Sequence, residues 1–254
     1  GGTTMTAGLV DEAYNIVGKI TRPTRLPRPA QDLEQALADL CRAVAKDCKI
    51  DFADVSYVGI GTPGSVNKAT GYIEFANNLD FNKVPAKEML EARIHKTVYI
   101  DNDANCAALG EAVAGVGKGV SNFVAVTLGT GVGSGIIIDG KIVSGVNCAG
   151  GECGHTVIVL DGEPCSCGRN GCWEAYASAT ALIRQTRKAM EEYPDSIMHE
   201  IVKEEGKVNG KTAFDAKRKG DVAGIKVVES YIKYVACGLI NLVNALQPEI
   251  CLLY

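Results

Sequence analysis

Two spacings of apolar residues organise this chain. Thr4-Met5-Thr6-Ala7-Gly8-Leu9-Val10 and Ile16 to Thr21 read as extended segments joined by a turn at Asp11-Glu12. Pro23, Pro27 and Pro29 then break regularity. From Ala30 to Lys49, Leu33, Ala36, Leu37, Leu40 and Val44 recur at helical spacing. Val55 to Gly61 predicts a buried strand that runs into Thr62-Pro63-Gly64. Pro85 to Ile94 predicts a short helix with Pro85 in its first turn, Val98-Tyr99-Ile100 a strand, and Ala104 to about Ala114 a helix. A second set follows: a strand from Phe123 to Leu128, then a hairpin from Gly135 to Ser144 turning at Asp139-Gly140. After a cysteine-rich loop come helical patterns from Trp173 to Gln247 and a closing strand from Glu249 to Leu253.

Strands alternating with helices argue an α/β architecture with partly parallel sheets. Two halves of similar plan are expected, a smaller α/β domain over 1–105 and a larger one over 106–254 that carries the cysteine-rich loop. With 254 residues, 46% of them hydrophobic, the chain can bury a sizeable core. The net charge of −4, with no basic block, argues against a nucleic-acid or anionic-membrane surface. Apolar runs such as Phe123 to Leu128 are far too short to span a bilayer, and no secretory leader pattern is present. Of the ten cysteines, Cys41, Cys48, Cys106, Cys148, Cys153, Cys237 and Cys251 read as reduced core thiols, which suits a cytoplasmic protein.

Three segments carry candidate chemistry. The first is Asp101-Asn102-Asp103-Ala104-Asn105, directly after a buried strand. Ligands collect at the carboxyl ends of strands in α/β folds, and a carboxylate there can take the proton of a hydroxyl nucleophile. Asp103 and Asp101 equally suit a helix N-cap. The second is Thr127-Leu128-Gly129-Thr130-Gly131-Val132-Gly133-Ser134-Gly135. Its alternating glycines let backbone approach a ligand closely, and successive N–H groups can cradle an anion. It is neither a Walker A loop nor the dinucleotide G-x-G-x-x-G, and a plain glycine-rich hairpin is the alternative. The third combines Glu152 and His155 with Cys165-Ser166-Cys167-Gly168-Arg169-Asn170-Gly171-Cys172-Trp173-Glu174. One imidazole and three thiolates, His155, Cys165, Cys167 and Cys172, make a complete tetrahedral Zn²⁺ set with no open position, hence a structural metal. A redox thiol pair or unpaired core cysteines are the alternatives. Bound through one ring nitrogen, His155 can turn the other to a substrate hydroxyl, and Glu152 and Glu174 flank the ligands.

Gly1-Gly2-Thr3, Gly61-Thr62-Pro63-Gly64, Asn77-Asn78-Leu79, Asn102-Asp103-Ala104-Asn105, Leu128 to Gly133, Glu152-Cys153-Gly154-His155 and the Cys165–Glu174 block together resemble the ROK family of sugar kinases and sugar-responsive repressors. Within it, the chain is similar to bacterial glucokinases. The resemblance implies an actin-like, ribonuclease-H-like two-domain ATPase fold with an interdomain cleft. It implies a hexose, with glucose favoured, held by Gly64, Asn78, Asn102, Asp103, Glu152, His155 and Glu174, with Asp103 as general base. It implies ATP with Mg²⁺ on Gly1, Gly2, Thr3, Thr127, Gly129, Thr130, Gly131 and Gly133, and a homodimer or homotetramer. N-acetylmannosamine, fructose or allose as substrate, and polyphosphate as donor, stay open.

The family pattern also carries an Asp just before Gly-Gly-Thr and a glycine-rich adenosine-contacting segment after the last strand. Neither is in these 254 residues, so weak or no kinase activity is expected of the chain as written, with sugar and zinc sites intact. The competing expectations are a ROK-type repressor, which needs a helix-turn-helix that this sequence does not carry, and a non-catalytic sugar-binding protein.

Overall fold

A computed structural model describes residues 3–254. Two compact units emerge, one of residues 1–119 with 142–150 and one of 120–141 with 151–254. The sequence-based division at 105 would leave the helix after Asp103 with the second unit. The fold instead keeps that helix on the strands that precede it.

In the first unit, β1 (Thr4–Val10) and β2 (Ile16–Pro23) form the expected antiparallel hairpin. α1 (Ala30–Asp47) follows; of the five positions its spacing marked, Leu33, Leu40 and Val44 are buried and Ala36 and Leu37 are half-buried. β3 (Tyr57–Thr62) pairs in parallel with β7 (Thr97–Asn102), so both deliver their carboxyl ends to one edge. Between them lie β4 (Ser65–Asn67), β5 (Tyr72–Ala76) and β6 (Phe81–Val84), an antiparallel sheet that hydrophobic periodicity did not predict. These strands are short, and only Val66, Ile73, Ala76 and Phe81 in them are buried. A pattern of one or two buried positions per strand is too brief to reveal a period of two.

α2 (Ala86–Ile94) packs on α1, and Pro85 stands just outside it rather than in its first turn. α3 (Asp103–Ala114) leaves β7 directly and packs on β3 and β7. A cavity of about 940 Å³, lined by Leu9, Leu37, Val44, Val58 and Ile60 among others, lies in this unit alongside β1, α1 and β3.

One buried charge stands out in this unit. Glu34 on α1 is 2% exposed, and its Oε2 has no hydrogen-bond partner; the same holds for Arg93 Nε. Burial drives the Glu34 carboxyl up to about 7, against the partial pull of the Arg93 charge.

The second unit is built on β8 (Phe123–Leu128), whose first four residues are fully buried. β9 (Val132–Ile138) pairs with it antiparallel, and β11 (Ile250–Leu253) pairs on its other side in parallel. The two-residue β10 (Lys141–Ile142) forms the outer edge, after a turn in which Asp139 and Gly140 both have positive φ. Helices α4 (Glu174–Ala177), α5 (Ala179–Glu192), α6 (Met198–Glu205), α7 (Thr212–Arg218) and α8 (Val222–Leu246) supply the second core. Among the described residues, no helix is long and apolar enough to cross a membrane.

Candidate functional site

The first unit presents its candidate residues where β7 ends and α3 begins. Sequence reasoning offered Asp103 as a helix cap. The cap is Asn102, whose side-chain oxygen accepts from Ala104 N (2.8 Å) and Asn105 N (3.2 Å). Asn102 Nδ2 in turn donates to the Gly64 carbonyl at 3.0 Å, which ties the two predicted residues together. Gly64 has φ +93, and a Cβ there would sit 2.2 Å from the Phe75 carbonyl oxygen, so both space and backbone demand glycine. Asp103, one residue beyond the cap, keeps an exposed side chain whose Oδ1 accepts from Ala104 N at 3.0 Å. It is thus a carboxylate held at the carboxyl edge of a parallel strand and still open to solvent. Asn78 is exposed in the 3₁₀ turn Asn77–Leu79, which follows β5.

Asp101 is not a cap either. Its Oδ1 accepts from Asn102 N (2.8 Å) and from Asn105 Nδ2 (3.0 Å), and its Oδ2 meets Lys68 Nζ at 2.5 Å. Asp101 and Asn105 are both buried. This network braces the backbone on both sides of Asp103, and Lys68 escaped the sequence reading because nothing local marks a residue 33 positions upstream. Cys106, on the first turn of α3, donates to the Ile60 carbonyl at 3.7 Å. Burial, with the Asp101 and Asp103 charges, pushes its thiol up to about 11, so it stays neutral.

In the second unit, Thr127 is the last residue but one of β8, Gly133 faces it on β9, and Gly129-Thr130-Gly131 make the hairpin turn. The segment is therefore a glycine-rich hairpin, and the turn's Gly129 and Thr130 are exposed. A Cβ on Gly129 would meet nothing within 4 Å. A Cβ on Gly131 would lie 2.2 Å from Glu174 Oε2, and the same oxygen accepts from Val132 N at 2.9 Å. The missing side chain at Gly131 thus makes room for a carboxylate of this chain. Thr3 is exposed just before β1, and Gly1 and Gly2 lie outside the described residues.

The cysteine-rich loop has little regular structure. Isolated bridges Val157–Cys172 and Pro164–Asn170 hold it, and Gly168 and Gly171 turn with φ +87 and +79. A Cβ at Gly171 would lie 1.7 Å from the Val159 carbonyl oxygen. Trp173, fully buried, anchors the loop's end: its Nε1 donates to the Tyr234 carbonyl at 2.8 Å, and Gly238 on α8 leaves room for the indole.

The ligand atoms of His155, Cys165, Cys167 and Cys172 all lie within 4.8 Å of one another. His155 Nδ1 is 3.5 Å from Cys165 Sγ, and the Cys167 and Cys172 sulfurs are 3.6 Å apart. A tetrahedral zinc with metal–sulfur bonds of about 2.3 Å needs ligand atoms about 3.5–3.8 Å apart, so this set fits the ion. The backbone N–H of Arg169 is the main influence pulling the Cys167 thiol down to about 6, whereas burial first and then the neighbouring sulfurs push Cys172 up to about 12. A divalent cation would remove that opposition and hold both as thiolates. Arg169 Nη2 donates to the His155 carbonyl at 2.6 Å, placing a positive charge beside the three-cysteine cluster. Glu152 precedes the 3₁₀ turn Cys153–His155, and His155 N donates to its carbonyl at 3.1 Å.

The parallel-strand edge bearing Asp103, together with the glycine hairpin and the cysteine cluster on a second α/β unit, defines a protein of the actin-like, ribonuclease-H-like ATPase fold. Within that class the chain belongs to the ROK family, whose family model matches residues 1–253. It is 35% identical over 254 residues to a glucokinase of Thermotoga maritima, an alignment covering all of this chain and 78% of that protein. It superimposes with a TM-score of 0.86 and 32% identity on a ROK family glucokinase from Streptomyces griseus in complex with glucose and AMPPNP, covering 100% of this chain and 80% of that one. It is also 32% identical over 225 residues to a xylose repressor of Caldicellulosiruptor bescii, covering 88% of this chain and 56% of that protein.

Proposed function

We propose that this protein transfers the γ-phosphoryl group of ATP to a hydroxyl of a hexose, with glucose the preferred acceptor and Asp103 the general base. The observation that carries the reading is the position of Asp103: a solvent-open carboxylate at the carboxyl end of β7, on a turn fixed by the Asn102 cap and the Asp101–Lys68 pair. In the reaction the acceptor hydroxyl loses its proton to Asp103, its oxygen bonds to the γ-phosphorus, and the bond to the β-phosphate oxygen breaks to release ADP. Phosphoryl transfer draws most of its acceleration from positioning and charge stabilisation. Gly64, Asn78, Asn102, Glu152, His155 and Glu174 would orient the sugar, and Thr3 with Thr127, Gly129, Thr130, Gly131 and Gly133 would receive the triphosphate.

Bound Mg²⁺ would supply charge neutralisation at the phosphates. Bound Zn²⁺ would supply a rigid tetrahedral brace on His155, Cys165, Cys167 and Cys172. With Nδ1 of His155 turned toward Cys165, its Nε2 is the nitrogen left for a sugar hydroxyl. The names of the relatives support both sugar and donor. We assign the protein to the cytoplasm, as a homodimer or homotetramer.

The test is a sugar panel on the full-length protein with Mg–ATP, read by coupled ADP release. Glucose-dependent release exceeding that with N-acetylmannosamine, fructose or allose is expected. Release that no sugar stimulates would overturn the kinase reading. The repressor relative favours a second reading, a sugar-binding regulator, for which glucose or xylose binds in calorimetry without turnover.

A further inference from the structure

We propose that Glu174 is a positioning residue that locks the tip of the glycine hairpin to the cysteine-rich loop, so that metal loading of the cluster sets the affinity of the hairpin for nucleotide. The nucleotide half rests on the reading that this hairpin receives the triphosphate.

The geometry of one carboxylate carries the inference. Glu174 opens α4 directly after the loop, and both of its oxygens are engaged. Oε2 accepts from Val132 N at 2.9 Å, at the first residue of β9, in the space that Gly131 leaves by having no side chain. Oε1 accepts from Ser166 Oγ at 3.3 Å, and Ser166 stands between two members of the metal cluster, Cys165 and Cys167. A single side chain therefore joins the hairpin tip to a residue whose two chain neighbours are cluster ligands.

Two further contacts make the junction rigid. Ala179 N, at the start of α5, donates to the Gly129 carbonyl at 2.9 Å. Gly154, one residue before His155, is pressed so close to the Val132 carbonyl oxygen that a Cβ would lie 2.1 Å from it. The turn Gly129-Thr130-Gly131 is thus held on one flank by the start of α5 and on the other by the residue before His155, while Gly129 and Thr130 stay exposed for a ligand.

A phosphate cradle works by having its N–H groups already aimed. Within the turn one hydrogen bond joins Gly129 N to Gly131 O at 3.0 Å, and contacts from outside the turn supply the rest of its order. A tether of this kind predicts an effect on nucleotide binding that a residue touching only sugar would not have. It also gives Gly131 a definite requirement: any side chain there collides with Glu174.

The experiment uses the full-length protein and two readouts. Hydrogen exchange of the Val132 amide reads the tether itself. Calorimetry with Mg–AMPPNP, in the absence of sugar, reads the consequence. Glu174→Ala is expected to abolish Val132 protection and weaken Mg–AMPPNP about tenfold, in the range typical of residues that orient a binding group from behind. Glu174→Gln keeps an acceptor for Val132 N–H and is expected to retain the protection and to lose less than about threefold in nucleotide affinity. Wild type stripped of metal is expected to resemble Glu174→Ala in both readouts.

Unchanged Val132 exchange in folded Glu174→Ala would overturn the tether. Lost protection with unchanged Mg–AMPPNP affinity would overturn the coupling to nucleotide. Wild type that binds no Mg–AMPPNP would overturn the phosphate reading of the hairpin, and Val132 exchange would still decide the tether.

Discussion

The turn bearing Asp103 and the loop bearing His155 solve the same problem with different materials. The Asp103 turn sits between a parallel strand and a helix, backed by the buried side chains Val98, Ile100, Ala104 and Ala108. Regular hydrogen bonding fixes its path, and the Lys68–Asp101–Asn105 network adds a local brace. The His155 loop has two isolated bridges, positive-φ glycines and almost no apolar burial until Cys172 and Trp173. Its Leu160 is 84% exposed. Where there is a core, polar groups refine a position that packing already sets. Where there is none, a metal held by the four ligand atoms would do what packing does elsewhere.

Loss of the His155–cysteine cluster separates the two regions most sharply. Cys172→Ser, or stripping the metal with a chelator, is expected to abolish stoichiometric zinc and to leave the segment 156–172 open to limited proteolysis. Structural zinc sites contribute on the order of 10 kcal/mol to local folding. The first unit should keep its exchange protection in α1 and α3. Protection lost equally in both units would mean that the loop is no more metal-dependent than the rest.

Next in size is the buried charge of the first unit. Glu34 ionises at about 7 in the fold against 4.5 as its ordinary value. The folded state therefore holds the proton more tightly over that window, and stability falls as pH rises from about 4.5 through 7. Glu34→Gln removes the penalty. Thermal or urea unfolding should show the variant more stable than wild type by about 3 kcal/mol at pH 8.5, and nearly equal to it below pH 4.5. A pH-independent difference would contradict this account of Glu34.

A smaller effect is expected at Lys68. Lys68→Met leaves Asp101 Oδ2 without its cation and should cost about 1 kcal/mol, because the lysine head is partly in water. Lys68→Arg should restore most of it. If the turn gains precision from this pair, Lys68→Met lowers kcat with little change in the KM for sugar; a change in melting temperature alone would reduce the pair to a structural detail.

How much of this was readable from residues alone follows from distance along the chain. β1, β2, α1 and β8 announce themselves through their local apolar pattern, β9 only from Gly135 onward, the helices of the second unit as one undivided helical stretch, and the cysteine cluster through its spacing of two and five residues with two glycines between. The sheet of β4 to β6 did not, because strands of three to five residues with one or two buried positions leave no period. The cap was misplaced by one residue, because Asn102 and Asp103 are both good caps and only backbone geometry chooses. Lys68 with Asp101, and Glu174 with Val132, join residues far apart in sequence, which no local pattern foretells. The alternating glycines suggested room for phosphate throughout, yet at Gly131 the room belongs to Glu174.

Asp103 is proposed to take the acceptor's proton on a turn that the Asn102 cap and the Asp101–Lys68 pair hold in place. Glucose binding and turnover, measured side by side in full-length Asp103→Asn, test it most directly. The account predicts glucose affinity within about threefold of wild type and kcat lower by about 10²–10⁴. Turnover equal to wild type, with glucose still bound, would contradict it.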